Sequence, residues 1–209
     1  NEYYCVIINI LYEMISIIMP IAPDAEISYI SLTIESIKKQ TYNNWYIYIC
    51  VPNNMKNIIK QIHYTPKICE YIILPENFVS KYETINSSID VIKSEWVAIV
   101  EPGDEWYSNK LENQFGYSNR YDIIGSGCRF YGARGGMPDI SYNKIKSDAF
   151  LRGRAIIDNT VIMKRHLCNF ETKYGIHSDY RMFYKHHIKG TECFNIPEVL
   201  SVCKISRDY

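Results

Sequence analysis

The sequence predicts an α/β domain whose central sheet is mostly parallel and flanked by helices. Strand-like and helix-like segments alternate four times before residue 100. That alternation is how parallel sheets with right-handed crossovers are built. The strand-like segments are near-continuous apolar runs, as at residues 15–21 and 97–100, a pattern of strands covered on both faces. At 209 residues the chain fits one domain, long enough to bury roughly 70% of its unfolded surface.

Residues 3–10 read as a first strand and 15–21 as a second. The Ile-rich stretch from Cys5 to Pro23 is interrupted by Asn9, Glu13 and Pro20. No run there approaches the ~20 apolar residues of a transmembrane segment. No basic segment or small-residue cleavage site precedes it, which argues against a signal peptide. The chain opens on Asn1 rather than Met, so a domain cut from a longer protein is expected. Ile27, Ile30, Ile34 and Ile37 keep helical spacing, predicting a helix over about 26–39. Residues 45–51 form the next strand, Ile58, Ile59 and Ile62 a short helix, and 71–74 a strand. Tyr82, Ile85, Ile89 and Ile92 mark a helix that leads into the strand at 97–100.

The second half is less periodic. Ser108 is placed to cap a helix carrying Leu111 and Phe115. Residues 122–131 read as a strand, 132–153 as a long loop, and 159–164 as a strand. Ser178 is placed to cap a helix with Met182, Phe183 and His187 on one side. Residues 192–195 and 199–203 read as two short strands around Pro197. There is no internal repeat and no low-complexity linker.

Composition excludes some functions. Lys plus Arg and Asp plus Glu both number 23, so no charge excess points to nucleic acid or an anionic membrane. The seven cysteines form no CxxC pair. An odd count in apolar runs suggests reduced core thiols of a cytoplasmic protein.

The chemistry concentrates after the strand at 97–100. Pro102-Gly103 is a turn pair, and it gathers Glu101, Asp104 and Glu105. Acidic groups just past a central strand sit where open α/β sheets bind ligands. Carboxylates crowded on one turn repel unless a cation lies between them, and hard oxygens favour magnesium, manganese or calcium. A solvated acidic turn is the plain alternative.

The order of these elements resembles family-2 inverting glycosyltransferases of the GT-A fold, a Rossmann-like nucleotide-diphospho-sugar transferase architecture. Ile15-Ser16-Ile17-Ile18-Met19-Pro20 is similar to the opening strand, whose end at Pro20, Ile21 and Ala22 meets the nucleotide. Thr33-Ile34-Glu35-Ser36-Ile37-Lys38-Lys39-Gln40-Thr41-Tyr42 resembles the family's helix-and-turn string. Asn77 and Asn86 match its paired asparagines, and residues 97–106 its metal-binding strand and acidic motif, followed by Lys110-Leu111-Glu112. His177-Ser178-Asp179-Tyr180 resembles the segment that carries the catalytic base, and Ile196-Pro197-Glu198-Val199-Leu200 the closing segment.

The resemblance implies one domain over 1–209, with a nucleotide-sugar-binding half (1–106) and an acceptor-binding half (107–209). It implies a sugar moved from a nucleotide-diphosphate donor, UDP on family grounds, to a glycan or other hydroxyl with inversion. Mn2+ or Mg2+ would be held by Asp104, with Glu101 in support. Donor contacts fall to Pro20, Ile21, Ala22, Asn53, Asn86, Glu101 and Asp104, and the base is Asp179.

The sequence departs from the family pattern at three places. Val51-Pro52-Asn53-Asn54 lacks the usual carboxylate that meets the base, leaving Asn53 for a base edge. Gly103 replaces the central metal ligand, and Lys204 and Ser206 replace a frequent Arg and His. These departures keep open a degenerate domain that binds without turnover. A nucleotidyltransferase shares the same strand-and-carboxylate layout. Arg152, Arg154 and His177 are further candidates for phosphate or metal contact, and Trp106 for stacking on a sugar.

Overall fold

The computed structural model describes residues 13–62, 68–74, 80–132, 145, 149–150 and 155–205. The expected strand at 3–10, Asn77, Arg152, Arg154, Ser206 and most of the expected loop at 132–153 lie outside them.

The elements run β1 (Ile15–Pro20), α1 (Ile27–Ile37), β2 (Trp45–Pro52), β3 (Cys69–Leu74), α2 (Lys81–Ile89) and β4 (Trp96–Ile99). Then follow β5 (Glu105–Trp106), α3 (Lys110–Phe115), β6 (Ile123–Gly132), β7 (Ile162–Lys164), α4 (Ser178–Ile188) and β8 (Cys193–Ile205). One sheet holds all eight strands in the order β3-β2-β1-β4-β7-β6-β8-β5. β3, β2, β1 and β4 are mutually parallel. β7 runs antiparallel to β4 and β6, β8 is parallel to β6, and β5 closes the far edge antiparallel to β8.

Strand alternation divides the interior into two layers. On β1, Ile15, Ile17 and Met19 face one layer, with Ile30, Ile34 and Ile37 of α1. Ile18 faces the other, with Tyr82 and Ile85 of α2 and Met182 and Phe183 of α4. Strand β4 repeats the division: Ala98 joins the first layer, and Val97 and Ile99 the second. Each fully buried isoleucine contributes ~1.5–3 kcal/mol over an exposed one. All six described cysteines are buried free thiols.

Several local expectations are corrected. The short helix near 58–62 is a 3-10 segment, Asn53–Gln61. Ser108 does not cap α3; Asn109 stands at its N-cap without a side-chain bond. His177, not Ser178, is the N-cap residue of α4, and Ser178 opens the helix. The expected strand at 159–164 divides into a 3-10 turn, Asp158–Thr160, and the short β7. The two expected strands around Pro197 are one strand, β8, with register shifts at Ser126, Gly127 and Cys128 of its partner β6. The irregularity fits the chain: a β-carbon on Gly127 would stand 2.9 Å from the carbonyl oxygen of Glu198. Pro197 interrupts the pairing without ending the strand.

Candidate active site

β2 and β3 extend the sheet to one side of β1, and β4 lies on the other. The chain reverses direction across the sheet at β1 and β4, which is where open α/β sheets form a crevice past their carboxyl ends. A cavity lies there, walled by Pro20, Ala22, Tyr29, Lys81, Glu101 and Lys204, with Asp24 and Glu26 also on its wall.

The acidic turn is fastened from one side by α1 and the residues after it. The Thr33 hydroxyl donates to the Asp104 carbonyl at 2.8 Å and accepts from the Gly103 N–H at 2.9 Å. Ser36 accepts from the Trp106 N–H at 3.1 Å. The Gln40 amide donates to the Tyr107 carbonyl at 2.8 Å and accepts from the Leu111 N–H at 3.0 Å. Thr41 reaches Glu112 at 2.6 Å. The string that carried the resemblance is therefore a clamp, made by polar side chains of α1 and of the turn after it, while the apolar side of the helix packs into the core.

Within the turn the two carboxylates take different positions. Asp104 is fully buried. Its Oδ2 accepts from the Glu101 N–H at 3.0 Å and from Asn159 Nδ2 at 2.8 Å. Its Oδ1 accepts from the Lys204 N–H at 2.9 Å, which ties the turn to β8. Burial, then the charge of Glu101, pushes its pKa up to about 8. Glu101 instead reaches the cavity wall, where Lys81 Nζ donates to its Oε1 at 2.6 Å. The same ammonium lies 2.8 Å from Oδ2 of Asp158. Lys204 Nζ sits 3.3 Å from the centre of the Tyr29 ring, a cation–π contact. Gly103 takes φ +101, and Tyr131 donates to its carbonyl at 2.6 Å.

The other expected site residues are dispersed. Pro20 and Ala22 line the cavity. The Ile21 side chain is buried in the core, and its N–H donates to the Cys50 carbonyl at 3.0 Å. Asn53 is exposed at the end of β2. Asn86 pairs both ends of its amide with the backbone of Phe170, at 2.8 and 3.0 Å, and so fastens α2 to the chain before α4. Asp179 is fully buried in the first turn of α4. Trp106 is a core residue, 4% exposed, with Lys110 Nζ 4.5 Å from its ring centre.

Sequence reasoning missed Lys81, Asp158 and Tyr29. One signal was present for Lys81. Ser80-Lys81-Tyr82-Glu83 has the S-x-x-E spacing of a capping box, and Ser80 Oγ accepts from the Glu83 N–H at 3.2 Å. A lysine at the first position of that helix works against the helix dipole and so points to a local anionic partner.

A model of glycosyl transferase family 2 matches residues 16–193. The chain belongs to glycosyltransferase family 2. A relative from Escherichia coli, UDP-Glc:alpha-D-GlcNAc-diphosphoundecaprenol beta-1,3-glucosyltransferase WfgD, is 29% identical over 167 residues. The match covers 75% of this chain and 62% of that protein, so this chain spans about three-fifths of that relative. The fold is that of S. aureus TarS residues 1–349 in complex with UDP, with a TM-score of 0.74 at 14% identity over 92% of this chain and 61% of that one. The same TarS fragment with UDP-GlcNAc gives 0.71 at 13% identity, covering 94% and 60%. The mannosyltransferase PcManGT from Pyrobaculum calidifontis, with GDP-Man and Mn2+, gives 0.65 at 16% identity, covering 93% and 58%. The family's GT-A fold is thus present from β1 to β8. No helix among the described residues is long and apolar enough to cross a membrane.

Proposed function

We propose that this domain transfers a sugar from a UDP-linked donor to an acceptor hydroxyl with inversion of configuration, assisted by Mn2+ or Mg2+. The observation that carries the reading is the cavity past β1 and β4, which sets Lys81 and Lys204 beside Glu101. Two cations beside the Glu101 carboxylate suit a diphosphate and its counter-ion. The UDP named with WfgD and TarS supports a uridine nucleotide; the nucleotide named with PcManGT is GDP.

Glu101 is the residue suited to hold the cation. It is the acidic-turn carboxylate that lines the cavity, whereas Asp104 accepts three N–H donors beneath it. This reverses the roles expected from sequence: Asp104 fixes the turn, and Glu101 offers the ligand oxygen. Among the described residues no group of three or more His, Cys, Asp or Glu could hold a metal alone. The remaining ligands then come from the donor, as is usual where one or two carboxylates and substrate phosphates share a hard cation. When bound, the cation stabilises charge developing on the leaving diphosphate.

Lys81 and Lys204 orient the diphosphate, and Asn53 at the exposed end of β2 faces the base. Asp179 is the proposed general base, taking the acceptor proton as the hydroxyl attacks. A binding domain without turnover is not favoured, because the match to a transferase family spans β1 to the start of β8.

The test is to incubate the protein with UDP-sugars, with and without Mn2+, and identify the products by chromatography. Release of UDP that increases on adding an acceptor supports the transferase. Release of pyrophosphate would make it a nucleotidyltransferase. Binding with neither product would make it a binding domain. Inversion is read from the anomeric configuration of the product by NMR.

A further inference from the structure

The cavity carries a cation of its own. Lys81 Nζ lies 2.6 Å from Glu101 and 2.8 Å from Asp158. The lysine side chain is 14% exposed and that of Asp158 6%, while Glu101, at 29%, is the most exposed of the three. Asp158 is anchored by the Tyr82 hydroxyl at 3.2 Å and the Asn159 N–H at 3.0 Å. Lys81 opens α2, where the helix dipole disfavours a positive charge. Its position is therefore maintained by the two carboxylates.

Those same carboxylate oxygens are what a hard divalent cation seeks. We propose that Lys81 is the resident counter-ion of the donor pocket. It neutralises Glu101 and Asp158 before the donor arrives, then gives its charge to the diphosphate, so that nucleotide and divalent cation bind as a pair. The inference rests on the nucleotide-sugar reading and adds the coupling between the two ligands.

Charge balance supplies the reason. Lys81 and Lys204 offset Glu101 and Asp158. Asp24 and Glu26 are exposed, where water and salt screen them. A nucleotide diphosphate entering alone adds negative charge beside two carboxylates. A divalent cation entering alone must displace an ammonium already bound to both. Arriving together, the cation takes Glu101 and the freed ammonium takes phosphate oxygen. Such coupling is reciprocal: each ligand raises the affinity of the other by the same factor.

The experiment titrates Mn2+ into wild type and Lys81→Met, with and without UDP, following free Mn2+ by electron paramagnetic resonance. Wild type should bind Mn2+ at least about tenfold more tightly with UDP present, within the usual range of coupling. Lys81→Met should bind Mn2+ alone about tenfold more tightly than wild type and gain correspondingly less from UDP, since only the phosphate–metal contact then couples the two ligands. Lys81→Arg keeps the charge and should retain more of the coupling than Lys81→Met. If the Met variant does not fold, the double variant Lys81→Met, Asp158→Asn removes the carboxylate repulsion and should show the same reduced coupling. Equal Mn2+ affinity of wild type and the Met variant without UDP, or full coupling in the double variant, overturns the proposal. Failure of wild type to bind UDP overturns the nucleotide reading instead. The nucleotide-free titrations then still decide whether Lys81 guards the carboxylates.

Discussion

Lys204 lies across Gly103: a β-carbon on that glycine would stand 2.6 Å from Cδ of the lysine, at a φ of +101. The residue that replaces the family's usual metal ligand is therefore one that this backbone requires. Restoring the family residue by Gly103→Asp should lower stability by ~1–3 kcal/mol, since it adds left-handed strain to a collision. It should also weaken UDP binding, because Lys204 must move. Thermal denaturation and calorimetry of the purified variant check both. A Gly103→Asp protein with unchanged melting temperature and tighter Mn2+-dependent UDP binding would show that the turn adapts.

Asp104→Ala separates support from ligation. The substitution leaves the N–H groups of Glu101, Asn159 and Lys204 without their acceptor. Each buried unsatisfied donor costs ~1–3 kcal/mol, so a marked fall in denaturation midpoint is expected. Glu101→Gln removes a partly exposed carboxylate and should leave stability within ~1 kcal/mol while abolishing the Mn2+-dependent part of UDP binding. The opposite pattern, with Asp104→Ala stable but blind to Mn2+, would return the ligand role to Asp104.

Asp179→Asn keeps the shape of the proposed base and removes its ability to accept a proton. Sugar transfer should fall by ~10²–10⁴-fold, the usual cost of losing a general base. UDP affinity should stay near wild type. Transfer at the wild-type rate excludes the role, and a parallel loss of UDP affinity places Asp179 on the donor side.

Lys110 offers a pH test. Its amine is fully buried, donates to Gln114 at 2.5 Å and to the Thr160 carbonyl at 2.9 Å, and burial pushes its pKa down to about 7. The unfolded chain holds that proton up to the ordinary value of 10.5. The unfolded state therefore binds more protons between those values, and this group's contribution to stability increases with pH across that window. Raising the pH from 7 to 9 should stabilise wild type relative to Lys110→Met by ~1–2 kcal/mol. Asp104 titrates in the same range with the opposite sign, so the readout is the difference between the proteins in urea midpoint. Parallel pH profiles would show that Lys110 stays charged when buried.

The parallel half of the sheet was legible because its strands are apolar on both faces and its helices keep period. Ile15, Ile17 and Met19 in one layer and Ile18 in the other follow from that pattern. The second half was less legible. Strand β5 has two residues and β7 three, too short for any period to show. Strand β8 was read as two because Pro197 normally ends a strand, whereas here Gly127 makes room for the irregularity.

In the site, the acidic turn could be read but the different burial of its carboxylates could not. Which carboxylate is buried depends on Asn159 and Lys204, contributed from distant parts of the chain. Asn86 illustrates the same limit. A polar residue at a family position was read as a donor contact, and the bonds of its amide with the Phe170 backbone were not foreseen.

The clamp of Thr33, Ser36 and Gln40 has a consequence for how such a protein changes over generations. These side chains do not line the cavity, yet they set the height and tilt of the loop that does. Selection acting on donor choice can work through them as a set-screw, by sub-ångström adjustment of a bond behind the wall. Surveys that score only ligand-touching positions will miss that adjustment, and libraries that randomise those three sites will reach it.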